Sequence, residues 1–186
     1  MRAFLFITAL CLLGGCSGNS SIRNTFDTRQ NAGACPPAGA LYNAARIVKF
    51  ASDEALYTNI RYSGEIIDVR LACRYAEDDP VRVSLEIDFA FGQGPAATSS
   101  THSFPYWVAV TRRSGKVLNK EYFSVEAAFR GKKLLGKTEV LREILIPRAD
   151  SSVSAANFEI LVGFDLSEEE HAYNAEGRRF RLRAGQ

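Results

Sequence analysis

From Tyr57 onward the chain is patterned with a period of two. The clearest run sets Val81, Val83, Leu85, Ile87, Phe89 and Phe91 against Arg82, Ser84, Glu86, Asp88 and Ala90. That is the alternation of a strand with one face in a core and the other in water. The same rule groups Ile67, Val69, Leu71, Cys73 and Tyr75 on one face, with Asp68, Arg70 and Arg74 on the other. It also groups Phe158, Ile160, Val162, Phe164 and Leu166, and, between Val117 and Phe129, Val117, Phe123, Val125, Ala127 and Phe129. Tyr57 to Ser63 alternates as well, with Gly64 as a turn or bulge before the next strand. Phe104 to Val110 continues the pattern, and Ser114-Gly115 offers a hairpin turn after it.

Two stretches carry a mixed signal. Leu41 to Ala51 places Ile47, Val48 and Phe50 around Arg46 and Lys49 and fits a strand or a short helical turn. Lys137 to Ile146 has Val140, Leu141, Ile144 and Leu145 at helical as well as extended spacing, and Pro147 ends it. Both are assigned to strands, the second because its neighbours all alternate and an antiparallel sheet needs a partner. Only Ser167 to Glu176 reads as a helix: Ser167 and Glu170 form a capping box, and Gly177 supplies the stop. The expected fold is all-β and mainly antiparallel, an immunoglobulin-like β-sandwich in meander or Greek-key order with a short C-terminal helix. The likeness is one of architecture, since no Cys-Trp-Cys spacing of antibody domains is present.

The N-terminus breaks the pattern. Arg2 is followed by an uncharged run to Leu13 that holds Phe4, Leu5, Phe6, Ile7, Leu10 and Leu12. This is the arrangement of a secretory signal, and it is too short for a spanning helix of about 20 residues. The run closes on Leu13-Gly14-Gly15-Cys16, which resembles the lipobox of bacterial lipoproteins. The resemblance implies that residues 1–15 are removed and that Cys16 carries the lipid, since only a thiol accepts the glyceride. Each buried CH₂ of an acyl chain contributes about 0.8 kcal/mol, so several chains, palmitate among them, hold a protein at a membrane almost permanently. Ser17, where an Asp would favour the inner membrane, points to the outer membrane, with the domain facing the periplasm. An ordinary signal peptide with an incidental cysteine is the competing reading.

Composition then bears on partners and redox state. The chain of 186 residues has 23 basic and 21 acidic side chains, a formal net charge of +2. Loss of Arg2 with the signal would leave +1, a balance that argues against a nucleic-acid binder. A mature chain of this size suffices for one core, burying roughly 70% of its unfolded surface. Of the four cysteines, Cys11 would leave with the signal and Cys16 would be acylated, so Cys35 and Cys73 remain. In an oxidising periplasm they are expected to form a disulfide. A metal site or a reactive thiol is the alternative, but no histidine pair stands near them to complete a zinc set. No metal or cofactor is expected.

Residues 16–34, the acylated cysteine and a polar stretch rich in Ser, Asn, Thr, Gly, Arg and Gln, read as a tether, with a typical reach of about 25 Å. Residues 35–186 read as the single folded domain. The segments Tyr62 to Cys73, Gly94-Pro95, Phe104 to Val110 and Leu161 to Phe164 carry a further likeness: residues 35 to 175 resemble uncharacterised envelope lipoproteins of alphaproteobacteria. That resemblance implies no activity.

Candidate chemistry is sparse. His102 and His171 are the only histidines, and a Ser100-His102-Asp arrangement lacks the nucleophile elbow that would support catalysis. Phe104, Tyr106 and Trp107 would make an aromatic platform for a glycan or peptide if they faced outward, although aromatic residues in a strand are more often core. Arg178, Arg179, Arg181 and Arg183 alternate with Phe180 and Leu182 and suit either an edge strand or contact with anionic phosphate. The function expected is a non-catalytic, lipid-anchored interaction or structural module with an envelope protein partner. A glycan or small-ligand binding module is the alternative, and an enzyme is the least favoured.

Overall fold

A computed structural model describes residues 33–75 and 80–178. Cys16, Arg179, Arg181 and Arg183 lie outside them. Eight strands occur among the described residues: β1 (Ala38–Ala40), β2 (Arg46–Phe50), β3 (Ile60–Arg74), β4 (Val81–Gln93), β5 (Thr101–Arg112), β6 (Val117–Ala128), β7 (Leu134–Ile146) and β8 (Phe158–Phe164). One α-helix, α1 (Glu168–Ala175), follows β8. The strands form two four-stranded sheets, in the orders β1-β8-β5-β6 and β2-β3-β4-β7. Every pairing is antiparallel except that of β1 with β8. β7 returns to lie beside β4 and β8 beside β5, the return connections of Greek-key sandwiches. The protein is thus the all-β sandwich with a late helix that the alternation predicts.

One core fills the space between the sheets. Phe89 and Phe91 of β4 meet Phe104 and Tyr106 of β5, Phe129 after β6 and Phe164 of β8, all essentially fully buried. The rings contact one another at centroid distances of 4.5 Å (Phe91–Phe104) and 5.2 Å (Phe89–Tyr106). Each such side chain contributes roughly 1.5–3 kcal/mol through burial.

Two bulges explain where a strict period of two misplaces residues. The β3–β4 register shifts between Ile66 and Asp68, so Ile66 is buried while Ile67 points outward and is 59% exposed. Ile67 is therefore not on the inner face with Val69, Leu71 and Cys73; an extra residue resets the phase. The β4–β7 register likewise shifts between Val83 and Leu85, opposite Arg142-Glu143, where Glu143 has φ +65°. Leu141 and Ile144 consequently both pair with inward β4 residues, which accounts for the helical spacing of this strand. Gly64 makes no turn: β3 runs straight through it, and a Cβ there would stand 3.0 Å from the Phe164 ring. Leu41 to Ala51 is both things the pattern allowed, a 3₁₀ turn (Tyr42–Ala44) and then β2. Val117 is exposed and does not join Phe123, Val125, Ala127 and Phe129 at the core.

The long edge strand β7 turns Lys137 and Glu139 toward the sandwich interior, opposite Phe89 and Ile87, where they pair at 3.0 Å. Inward charges at an edge oppose pairing with another sheet.

Candidate functional site

The two ends of the sandwich differ in what closes them. At one end Cys35 and Cys73 form a disulfide with Cα atoms 5.6 Å apart. Cys73 stands on the inner side of β3 against the core, so the bridge fixes the start of the domain to an internal strand of its sheet. Beside it the Tyr75 hydroxyl donates to the Ala34 carbonyl at 2.7 Å and accepts from the Ala155 amide at 2.8 Å. The Ile160 amide then donates to the Pro37 carbonyl at 3.0 Å, and the Leu41 amide to the Val162 carbonyl at 2.8 Å, as β1 runs parallel to β8. Chain arriving from residue 33 is thus held by a covalent bond, a tyrosine clamp and a short strand within a few residues.

The opposite end, where β3 begins, is closed without a covalent bond. There the Tyr62 hydroxyl donates to the Ser99 carbonyl and accepts from the Ser99 amide, both at 2.9 Å, which fastens residues 94–100 over the core. His102 stacks on Tyr62 at 4.2 Å and meets Phe104 edge-on at 4.7 Å. Its Nε2 is buried with no hydrogen-bond partner among the described residues. Burial, assisted by nearby Lys49, holds its pKa below the ordinary imidazole value. His102 is therefore a packed ring at the core's margin, and Ser100, whose carbonyl accepts from the Phe129 amide, serves to position a loop. His171 is exposed on α1.

Phe104, Tyr106 and Trp107 form no ligand platform. Phe104 and Tyr106 are core residues, and burial pushes the Tyr106 phenol up to about 12, with Glu139 adding to the shift. Trp107 does point to the outer side of its sheet, as alternation requires, but the chain covers it. Ala44 of the 3₁₀ turn, Ala109 and Leu166 pack around the ring, leaving it 8% exposed. Its Nε1 donates to the Phe164 carbonyl at 3.1 Å, and Lys120 Nζ lies 4.5 Å from the ring centroid. Gly163 is needed beneath it, because a Cβ there would come within 2.5 Å of Cζ2.

A concave feature of the described surface lies between edge strand β2 and α1. The helix is built by its own sequence: Glu170 N–H donates to Ser167 Oγ at 3.2 Å, and Ser167 N–H donates to Glu170 Oε2 at 2.9 Å. The other Glu170 oxygen pairs with Lys49 of β2 at 2.6 Å. Asn174 Nδ2 donates to the carbonyls of Asn43 and Arg46 at 2.9 and 2.8 Å, so both ends of α1 are tied to the β2 edge. Between these ties a groove of about 620 Å³ opens, within the range of ligand-sized clefts. Val48, Phe50, Ala55 and Tyr173 give it apolar walls, with Phe50 and Tyr173 edge to face at 5.6 Å. Asp53, Glu169, Glu170 and Glu176 give it an acidic rim. Ser167 Oγ donates to Glu169, which keeps that carboxyl below the usual range.

Arg178 lines the same groove. It pairs with Glu176 at 2.7 Å and lies 5.9 Å from the Tyr173 ring centroid. The pattern of the sequence missed this groove because its walls come from a five-residue strand and one aromatic on a polar helix. The available signal was Tyr173, the only large apolar residue in Glu168–Ala175.

What the fold and this site define is an all-β sandwich, disulfide-locked at one end and grooved at the other. Compared with known protein families, curated proteins and solved structures, the chain gives no significant match.

Proposed function

We propose that this protein is a non-catalytic lipoprotein of a bacterial envelope, anchored through an acylated Cys16 at the outer membrane and facing the periplasm. Its sandwich serves as an interaction or structural module toward an envelope protein partner. The observation that supports this most is the Cys35–Cys73 bridge. Such a bond persists in an exported, oxidising compartment, and here it ties the first residues of the domain to an internal strand. A domain held to a membrane by its N-terminal tether carries load at that point. Three residues of β1 would peel from β8 one hydrogen bond at a time, whereas the bridge passes the load to β3. The aromatic platform that would have carried a glycan or small-ligand binding module, Phe104, Tyr106 and Trp107, is buried, so the interaction module is the reading retained.

The test is replacement of Cys16 by Ala in the full chain, followed by labelled-palmitate incorporation and membrane fractionation. The expected result is loss of label and release of the domain from the membrane fraction. Unchanged label or unchanged membrane association would contradict it. Crosslinking in the intact envelope tests the module: one stoichiometric protein partner is expected, and retained glycan without a protein would favour the alternative.

A further inference from the structure

The groove between β2 and α1 opens where the helix hands on the chain. Gly177, at φ +72°, ends α1 in the left-handed turn that reverses chain direction. Arg178, the next residue, already lies in the groove, tied to Glu176. Beyond it the sequence continues Arg179-Phe180-Arg181-Leu182-Arg183, outside the described residues. We propose that the occupant of this groove is that segment of the same chain, laid alongside β2.

Three features of the groove match three of the segment. The segment alternates basic and apolar residues, so in extended form Phe180 and Leu182 share one face and the arginines share the other. The groove offers apolar walls from Val48, Phe50, Ala55 and Tyr173 beneath an acidic rim of Asp53, Glu169, Glu170 and Glu176. With Glu170 paired to Lys49 and Glu176 to Arg178, the sole base among the lining residues, the rim keeps an acidic excess at Asp53 and Glu169 that the segment's arginines would meet. Length agrees too: five extended residues cover about 17 Å, as does the five-residue β2. Position agrees as well, because β2 is the edge strand of its sheet and the segment begins within the groove. Once seated, it would close the edge and hide Phe50 and Tyr173.

The test compares amide hydrogen exchange in the full chain with that of a Phe180→Ser/Leu182→Ser variant. The expected result is exchange about ten-fold faster at Val48 to Ser52 in the variant, with the central strands β4 and β5 unchanged. A synthetic peptide of residues 179–186, added to the variant, would restore protection; high salt or Asp53→Asn with Glu176→Gln would weaken its binding. Equal exchange in the two proteins would overturn the proposal. Protection that depends on protein concentration, together with a dimer in sedimentation, would overturn it in favour of a second copy's segment. Loss of binding to vesicles of anionic phospholipid, with β2 exchange unchanged, would overturn it in favour of a membrane contact.

Discussion

Both ends of the sandwich are clamped by a tyrosine hydroxyl that donates to one backbone group and accepts from another, yet only one end adds a disulfide. Tyr75 holds Ala34 and Ala155 beside Cys35–Cys73. Tyr62 holds Ser99 alone, with His102 stacked against its ring. The difference follows from what each end has to retain. At the first, residues 34–40 pair with the sheet only through a three-residue strand, β1, and so short a pairing frays readily. At the second, a loop begins and ends in long strands, β4 and β5, so its closure is short-range and a tyrosine suffices. The end without the covalent lock is also the one that carries the groove.

The largest effect is expected at the disulfide. Replacing Cys35 and Cys73 together by Ala releases a loop closed over a sequence separation of 38, a cost of about 4 kcal/mol on the chain-entropy model. Urea denaturation checks it, and a loss below about 1 kcal/mol would mean that the noncovalent contacts already hold that end.

Next comes Gly94→Ala at the opposite end. A Cβ there would stand 2.1 Å from the Ile60 carbonyl oxygen, so backbone must move, at a cost of about 1–3 kcal/mol. Limited proteolysis should locate the disturbance in residues 94–100 and leave the Cys35–Cys73 end resistant.

Tyr62→Phe and Tyr75→Phe each remove two hydrogen bonds and should cost about 1–2 kcal/mol apiece. Their coupling to the cysteine pair separates the two ends. Tyr75 and the bridge restrain the same segment, so those changes should depart from additivity. Tyr62 sits at the other end of β3, and its effect should add to that of the bridge within about 0.5 kcal/mol. Denaturation of the double and triple variants measures both cycles.

The smallest effect is a slope. His102 has its folded-state pKa lowered by burial and by Lys49, so the fold favours the neutral ring. Its contribution is fully present above the ordinary imidazole pKa of about 6.5, and it is lost as pH falls below that value toward the lowered folded-state pKa. Stability measured from pH 7 to 5 should show a component that His102→Phe abolishes. An identical slope in that variant would assign the acid sensitivity to other groups.

Strand identity was legible wherever the period of two was unbroken, as in β4 and β8. Facing was misread where a bulge inserted one residue in β3, because Ile67 then looks like a core residue. β7, though correctly assigned to a strand, carried a mixed signal because its bulge gives Leu141 and Ile144 helical spacing. No local signal marks a bulge there: neither Ile66-Ile67 nor Arg142-Glu143 contains the glycine that would announce one. The capping box of α1 was fully legible, being a contact between residues three apart. Pairing of Cys35 with Cys73 was legible by elimination, on the expectation that the N-terminal run is an export signal. Trp107 shows the limit of facing rules: alternation places it outward, but its cover comes from Ala44 and Leu166, which are distant in sequence. The groove was illegible for the same reason, since Asn174 reaches back to Asn43 and Arg46.

The measurement that bears most directly on the proposed anchoring is the intact mass and N-terminal sequence of the protein isolated from a membrane fraction of the cells that make it. The account predicts a chain that starts at Cys16, carries acyl groups on that residue, and retains the mass of an oxidised Cys35–Cys73 pair. A chain that keeps residues 1–15, or that starts beyond an unacylated Cys16, would contradict it.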